Sequence, residues 1–454
     1  MADEIGFTVE VAARAAGLSF ADLPPEVVTV ARQCVLDWLG VTLAGSTEPA
    51  ATILLEELLD DGPADRAAAS GTVVGRAERL GPRDAALVNG TASHALDYDD
   101  VNDAMFGHPT VPVLPGVLAL AEGMGASGAD LLCAFVAGYE AECQIGRALG
   151  VEHYRRGFHS TAINGALGAA AACSRLMGLS PHDTAVALGI AATEAAGLKS
   201  MFGTMCKPLH AGQASAAGLL AARLAGGGFT SRADAVETDQ GLAATHTAGF
   251  DPRRGLAEPP GGWHILSNLF KYHAACFQTH SAIEGLRRLR DQAGFGPDDV
   301  ESVVIHAEPL QMGMCAIPEP STGLEVKFSL RHTAAFVLAG VDTAAIGSYR
   351  DENAREPSLV GLRQKVEVVD DRTSGRATPI EVRLRGGEVL TAAHDVFVPE
   401  ADLALQGKRL EEKFLSLAEP IIGASAAGRL VGAVSELAHL GDVRELMAET
   451  RPSA

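Results

Sequence analysis

Apolar residues recur at helical spacing through most of the first half of the chain. Between positions 10 and 224 they return every three or four residues, and the runs end at glycine or proline. The pattern predicts a series of helices, among them 27–44, 115–122, 129–150, 161–177 and 211–224. The stretch 163–172 is mostly alanine and glycine, so we expect a buried helix that its neighbours approach closely.

The pattern changes after the Pro-Pro-Gly-Gly sequence at 259–262. Short runs rich in β-branched residues or alternating in polarity predict strands at 300–306, 365–369, 380–384 and 389–393. Helical spacing then returns from 401 to 449. We therefore predict a mainly α protein, in which an all-helical domain at 1–265 is completed by 400–454 and a smaller α+β domain occupies 266–399.

The net charge of the chain limits the kinds of molecule that its surface can bind. The chain carries 36 Lys and Arg against 57 Asp and Glu, a net charge of −21. A surface this acidic repels phosphate backbones and anionic lipids, so we expect neither nucleic-acid nor membrane partners. The acidic start lacks a secretory signal and no uninterrupted apolar run is long enough to span a bilayer, so we expect a cytoplasmic protein. An anionic ligand would then need basic groups concentrated locally.

The seven cysteines lie ten or more residues apart, a spacing that indicates neither a disulfide framework nor a structural metal site. The sequence 123–128 matches GxGxxG. It follows a helical run rather than a strand, so we predict a corner between two helices instead of a dinucleotide site.

The first cluster of candidate catalytic residues runs from His94 through several aspartates to His108. It has three interpretations: a metal site, a turn with capping and solvated carboxylates, or an acid–base pair. We favour the third, with Asp97 orienting the His108 imidazole, and leave Asp99, Asp100 and Asp103 as structural residues or as supports behind that pair.

Further basic and imidazole groups stand near predicted helix starts. His159 precedes the alanine-rich helix, and Lys207 lies between Cys206 and His210 at the start of another. A lysine beside the free N–H groups of a helix start suits a carboxylate. Two later segments add Lys271 with His280, and Arg331 with His332. Each of these residues alone is more commonly a surface or packing residue.

Taken in order, the motifs resemble the MmgE/PrpD family, which includes 2-methylcitrate dehydratases, cis-aconitate decarboxylases and an iminodisuccinate epimerase. The resemblance covers most of the chain. It rests on the segments Leu36-Asp37-Trp38-Leu39-Gly40, 89–100, His108-Pro109, Gly157-Phe158-His159, 207–212, Gly228-Phe229-Thr230, Lys271 with His280, and Lys327-Phe328-Ser329.

The resemblance implies that the α+β domain is a lid over a site shared with the helical domain. It also implies a homodimer that uses neither a metal nor an organic cofactor. The family pattern places Asp97, His108, His159, Lys207 and Lys271 in the pocket. His108 and His159 would exchange protons with the substrate carbon, and the lysines would hold its carboxylates.

Two positions depart from the decarboxylase pattern. Val101 stands where those enzymes have Thr, and Arg331-His332 stands where Pro-Tyr is usual. Arg331 would add a carboxylate clamp, and His332 would replace a phenol as proton donor. We therefore expect a lyase acting on a small di- or tricarboxylate, first of all a 2-methylcitrate dehydratase-like hydro-lyase. An iminodisuccinate-type epimerase, a cis-aconitate-type decarboxylase and, as a different class, a metal-dependent hydrolase are the alternatives.

Overall fold

A computed structural model describes residues 6–60, 71–373 and 375–452. The chain forms two compact units, one comprising Met1–Phe270 with Glu400–Ala454 and the other Lys271–Pro399. The sequence prediction placed these boundaries at 265 and 399. Helices dominate the described residues, which confirms the prediction of a mainly α protein.

Among its described residues, the first unit is mainly helical and contains one short strand pair. Its strands are β1 (Gly71–Thr72) and β2 (Arg79–Leu80), which pair antiparallel. Its helices are α1 (Phe7–Gly17), α2 (Pro25–Gly45), α3 (Pro49–Asp60), α4 (Pro82–His94), α5 (Thr110–Met124), α6 (Gly128–Leu149), α7 (Glu152–Arg155), α8 (Ser160–Leu176), α9 (Pro181–Glu194), α10 (Cys206–Gly226), α11 (Leu242–His246), α12 (Pro252–Leu256), α19 (Leu403–Ile422), α20 (Ala424–Ser435) and α21 (Val443–Ala448).

Small side chains allow these helices to pack closely. Helix α8 is buried along almost its whole length, as its alanine and glycine content predicts. Helices α4 and α10 meet where Gly90 faces Gly212, and a methyl group on Gly90 would lie 2.7 Å from the Gly212 Cα. Any larger residue at either position would separate the two helices. The close approach matters because both helices carry residues of the candidate site.

Helix α2 is long and apolar enough to span a membrane, but 78% of its apolar window is buried inside the fold. It packs against α19, which returns to the first unit from the second. Asp37 in the middle of α2 forms an ion pair with Lys413 of α19. These contacts are those of a core helix in a globular protein. The GxGxxG stretch is a helix corner as predicted: α5 ends in a left-handed Gly125 and α6 begins at Gly128.

The second unit combines a four-stranded sheet with helices. Its strands are β3 (Val300–Ala307), β4 (Val366–Asp370), β5 (Thr378–Leu384) and β6 (Val389–His394), in the order β4-β3-β5-β6. Strand β4 pairs parallel with β3, and the other two pairings are antiparallel. Its helices are α13 (Phe277–Ala293), α14 (Pro309–Cys315), α15 (Gly323–Val326), α16 (Leu330–Ala339), α17 (Asp351–Arg355) and α18 (Pro357–Arg363).

Alternation along the strands defines the core of the second unit. Val303 and Ile305 of β3 are fully buried, as are Ile380 and Val382 of β5, while the residues between them are more exposed. Helices α13 and α16 pack together and contribute further residues to this apolar core.

Candidate active site

The candidate site of the first unit is built from the ends of four helices. His94 is the last residue of α4, and His108 lies two residues before α5. His159 is the N-cap of α8, and Lys207 and His210 lie in the first turns of α10. Three helix N-termini thus meet at one place, and their partial positive charges favour an anionic ligand despite the acidic surface.

The turn between α4 and α5 separates its aspartates. Asp97 has a left-handed backbone with φ of 52°. Its N–H donates to the carbonyl of His94 at 3.2 Å. Asp99 and Asp100 are buried, whereas the Asp97 side chain is 36% exposed. Asp100 faces away from the imidazoles and accepts hydrogen bonds from the Thr110 hydroxyl and the Asn268 amide.

Asp99 holds two imidazoles. His94 Nδ1 lies 3.0 Å from both Asp99 oxygens, and His108 Nδ1 lies 2.8 Å from Oδ2. An ionised carboxylate only accepts hydrogen bonds, so the His94 imidazole presents a protonated Nδ1 to it. A neutral His94 ring then carries its lone pair on Nε2. The Nε2 atom of His94 is buried and makes no hydrogen bond to the described residues, which leaves it available to a bound ligand.

Burial and the aspartate set the charge states of this group. Burial is the main cause that lowers the pKa of His94 to about 4, and it outweighs the opposing attraction of Asp99. Burial also opposes ionisation of Asp99, but its two histidine partners hold the pKa well below the usual range of a carboxyl group. At neutral pH the site therefore contains a neutral His94 beside a charged Asp99.

Asp97 contacts a different partner. Its Oδ1 lies 2.7 Å from Lys207 Nζ and 3.6 Å from His108 Nε2. The lysine side chain is 16% exposed. The ammonium therefore stands at the edge of the imidazole group, where a carboxylate ligand could compete with Asp97 for it.

His159 lies on the other side of His94. The two rings stack with centroids 5.8 Å apart, and Phe202 packs edge-on against His159 at 4.9 Å. Burial, helped by the nearby His94 and Lys207, lowers the pKa of His159 well below its usual range. Its Nδ1 lies 3.1 Å from His210 Nδ1. His159 is thus a neutral imidazole whose Nδ1 is engaged.

A buried lysine contacts the turn between α4 and α5. Lys413 Nζ lies 2.6 Å from Asp37 Oδ1, and both side chains are at most 3% exposed. The same ammonium donates to the carbonyl of Tyr98 at 2.8 Å and lies 4.0 Å from the centre of its ring. Because Tyr98 stands between Asp97 and Asp99, this contact fixes the backbone that carries both carboxylates.

The same residues have the composition of a metal site. One ligand atom from each of His94, Asp97, Asp99 and His108 lies within 4.8 Å of the others. One contact favours another use, because the Lys207 ammonium lies 2.7 Å from Asp97 Oδ1, where it would repel a bound cation. The acid–base interpretation accounts for these contacts without further assumptions.

The remaining predicted residues lie in the second unit. Lys271 and His280 are buried, and His280 Nε2 lies 3.2 Å from the carbonyl oxygen of Ala275. His332 is buried with Nδ1 3.4 Å from an Arg363 nitrogen, and its Nε2 makes no hydrogen bond to the described residues. Arg331 is half-buried. These four residues keep the roles predicted from sequence as proposals.

The structure adds detail to two sequence inferences. The carboxylate nearest His108 belongs to Asp99, to which the sequence prediction gave a structural or supporting role. Asp97, the predicted orienting residue, lies 3.6 Å from His108 Nε2 and 2.7 Å from Lys207 Nζ. Three contributors were also missing from the predicted site: His94, His210 and Phe202. The first two stood in the quoted clusters, but the sequence contains no signal for their ring contacts with His159.

Comparison with known proteins covers both units. The MmgE/PrpD N-terminal domain matches residues 9–255, and the MmgE/PrpD C-terminal domain matches residues 273–438. Together these matches span most of the chain.

Curated relatives extend over nearly the full length. The cis-aconitate decarboxylase of Homo sapiens is 29% identical over 445 residues, covering 94% of this chain and 90% of the relative. The cis-aconitate decarboxylase of Aspergillus terreus strain NIH 2624 / FGSC A1156 is 26% identical over 473 residues, covering 97% of this chain and 95% of the relative. The cis-aconitate decarboxylase-like protein oryM of Aspergillus oryzae is 27% identical over 455 residues, covering 94% of each chain.

Proposed function

Because this chain belongs to the MmgE/PrpD family, we propose that it is a lyase acting on a small di- or tricarboxylate, and that decarboxylation of cis-aconitate is the first reaction to test. One observation carries the proposal: a charged Asp99 holds two imidazoles beside a third, with the Lys207 ammonium at the edge. Sequence alone put a methylcitrate-like substrate first. Two of the named relatives are cis-aconitate decarboxylases that match nearly the whole chain, so methylcitrate becomes the second substrate.

Positive charge around the imidazoles of His94, His108 and His159 supports an anionic substrate. A substrate carboxylate would displace Asp97 from the Lys207 ammonium and accept hydrogen bonds at the helix N-termini. We infer that Lys271, Arg331, His332 and His280 of the second unit hold further carboxylates or donate protons.

Decarboxylation would use these residues as follows. The bond between the carboxylate carbon and its neighbour breaks, and carbon dioxide leaves while the electron pair stays on the substrate. Cations and N–H donors stabilise the developing charge, and an imidazole N–H delivers a proton to carbon. His108 and His159 are the two candidate donors.

A hydro-lyase is the second candidate, and sequence departures favour it. Val101 lacks the hydroxyl of the Thr found in decarboxylases, and it follows the Asp99 and Asp100 carboxylates. In a dehydration, one imidazole removes a proton from carbon while another acid protonates the departing hydroxyl group. The same group of imidazoles supplies both functions, so product analysis has to separate the two reactions. An epimerase would return the proton to the opposite face without losing any group.

The test is a substrate panel in D₂O. Purified protein is incubated with cis-aconitate, methylcitrate, citrate and iminodisuccinate, and products are followed by NMR. Release of carbon dioxide or loss of water supports a lyase, whereas deuterium entering a substrate without either loss contradicts it. Each reaction is repeated after exhaustive chelation, because retained activity eliminates the metal-dependent hydrolase that the cluster at His94, Asp97, Asp99 and His108 would otherwise support.

Single substitutions, each compared with a control substitution outside the candidate site, test whether the activity depends on its histidines. His108→Ala and His159→Ala remove candidate proton donors, while His182→Ala removes an exposed histidine of α9 as a control. Light scattering of the same samples tests the predicted homodimer.

A further inference from the structure

His159 and His210 face each other through the same ring atom. Their Nδ1 atoms lie 3.1 Å apart, with ring centroids separated by 5.3 Å. Helix packing sets this distance, since His159 caps α8 and His210 lies near the start of α10. These two helices pack along much of their lengths.

A glycine holds the pair together. Gly197 accepts a hydrogen bond from the His159 N–H at 3.0 Å. A methyl group added to Gly197 would lie 3.3 Å from the His210 ring and 2.8 Å from the Ala162 side chain. Its φ of 153° is also a conformation that other residues rarely adopt. The segment before α10 therefore fixes His159 and His210 at the same point.

The facing nitrogens impose a constraint on protonation. A hydrogen bond between two Nδ1 atoms requires one proton, so one nitrogen donates and the other accepts. Burial is the main cause that lowers the pKa of each histidine, which favours two neutral rings. A neutral imidazole carries one N–H only. The position of the shared proton therefore decides which nitrogen of His159 is protonated.

We propose that His210 switches His159 between acid and base by exchanging the proton between their Nδ1 atoms. When the proton is on His210, His159 Nδ1 accepts and its Nε2 carries the N–H of an acid. When it is on His159, Nε2 carries the lone pair of a base. This inference rests on the proposed function for its chemical use and names a positioning residue for the same site.

The protons balance over a turnover. His159 Nε2–H passes its proton to the substrate carbon, the proton on His210 Nδ1 crosses to His159 Nδ1, and water gives a proton to His210 Nε2. Both rings remain neutral. After product leaves, the proton on His159 Nδ1 returns to His210 Nδ1, His210 Nε2 gives its proton back to water, and water gives a new proton to His159 Nε2. These three transfers restore the starting state. His210 is only half-buried, so water can reach it more readily than it reaches His159.

The substitution His210→Asn distinguishes a histidine that passes a proton to His159 from one that only holds the His159 ring in place. Asparagine places an amide near the position of Nδ1 and can still bond His159, but it cannot pass a proton onward. We expect kcat to fall about 100-fold with KM changed less than threefold, in line with the loss of a proton-transfer group. His246→Asn, at a half-buried histidine whose ring lies 4.1 Å from that of Phe158, is the matched control and should retain kcat. Full kcat in His210→Asn would overturn the proposal.

A second measurement needs no substrate. Two-dimensional NMR of protein labelled with ¹⁵N-histidine reports the protonation of each ring nitrogen. We expect one Nδ1 of the His159 and His210 pair to be protonated and the other unprotonated, with the His159 tautomer altered in His210→Asn. Two protonated or two unprotonated Nδ1 atoms would overturn the proposal, even if the substrate panel shows no turnover and the proposed lyase fails.

Discussion

His108 Nδ1 lies 2.8 Å from Asp99 Oδ2, while the other ring nitrogen lies 3.6 Å from Asp97 Oδ1. The closer carboxylate is buried and also binds His94. Asp99 therefore makes the shorter contact with His108, whereas the shortest contact of Asp97 is with the Lys207 ammonium. The two aspartates, two residues apart in sequence, should respond differently to the same substitution.

Asp99→Asn should lower kcat by about 10²–10⁴, because the neutral amide offers one acceptor oxygen in place of two and removes the negative charge beside both imidazoles. Asp97→Asn, at a partly exposed carboxylate, should lower kcat at least tenfold less. Steady-state kinetics on whichever panel substrate the wild type uses provides the comparison. Equal losses in the two variants would contradict the separate roles.

His108→Ala and His159→Ala should each lower turnover by about 10²–10⁴ through loss of a proton-transfer group. Far-ultraviolet circular dichroism should show unchanged helix content. His182→Ala should retain the wild-type rate. If both site variants kept nearly full activity, neither imidazole could serve in proton transfer.

Lys207→Met should act mainly on binding. Loss of a charge-assisted contact of about 1.5–3 kcal/mol corresponds to a KM raised about 10- to 100-fold. Lys207→Arg keeps the charge and should recover part of the affinity. A Lys207→Met variant with unchanged KM would show that the ammonium serves Asp97 alone.

Lys413→Met should destabilise the protein by about 3–5 kcal/mol, because it removes the ammonium that lies 2.6 Å from the buried Asp37 carboxylate. Urea unfolding measures the change. The double variant Asp37→Leu with Lys413→Met removes both charges and should lose less stability than the single variant. A double variant that is less stable than the single one would contradict this explanation.

Acid should destabilise the fold through buried histidines such as His153. Burial is the main cause that lowers its pKa to about 4, and its ring nitrogens contact the Gly150 carbonyl and the Ser160 hydroxyl. The unfolded chain binds this proton near pH 6.5 and the folded protein only near pH 4, so stability falls as pH drops through that range. His153→Gln should reduce the slope by up to about 1.4 kcal/mol per pH unit. Urea unfolding at several pH values tests this, and an unchanged slope would contradict it.

Local patterns predicted most elements but misplaced some helix starts. The predicted helix 129–150 is Gly128–Leu149 in the structure, and the predicted strand 389–393 is Val389–His394. Helix α5 begins at Thr110 rather than 115, because it continues through Pro115. The order of strands and the parallel β3–β4 pairing could not be predicted, since both join segments distant in sequence.

The sequence allowed us to predict which segments contribute to the candidate site, but not which of their side chains contact one another. The sequence identified the segment from His94 to His108, but the left-handed Asp97 decides which carboxylate turns inward. The His159–His210 contact depends on how α8 packs against α10, across 51 residues of sequence. Spacing along a chain carries no information on such a contact.

The most direct test of the central claim is NMR of the products formed from cis-aconitate in D₂O. The account predicts that wild-type protein releases carbon dioxide and places one deuterium on a carbon of the product, and that His108→Ala and His159→Ala do so at least 100-fold more slowly. Deuterium appearing in recovered substrate, with neither carbon dioxide nor water lost from any member of the panel, would contradict it.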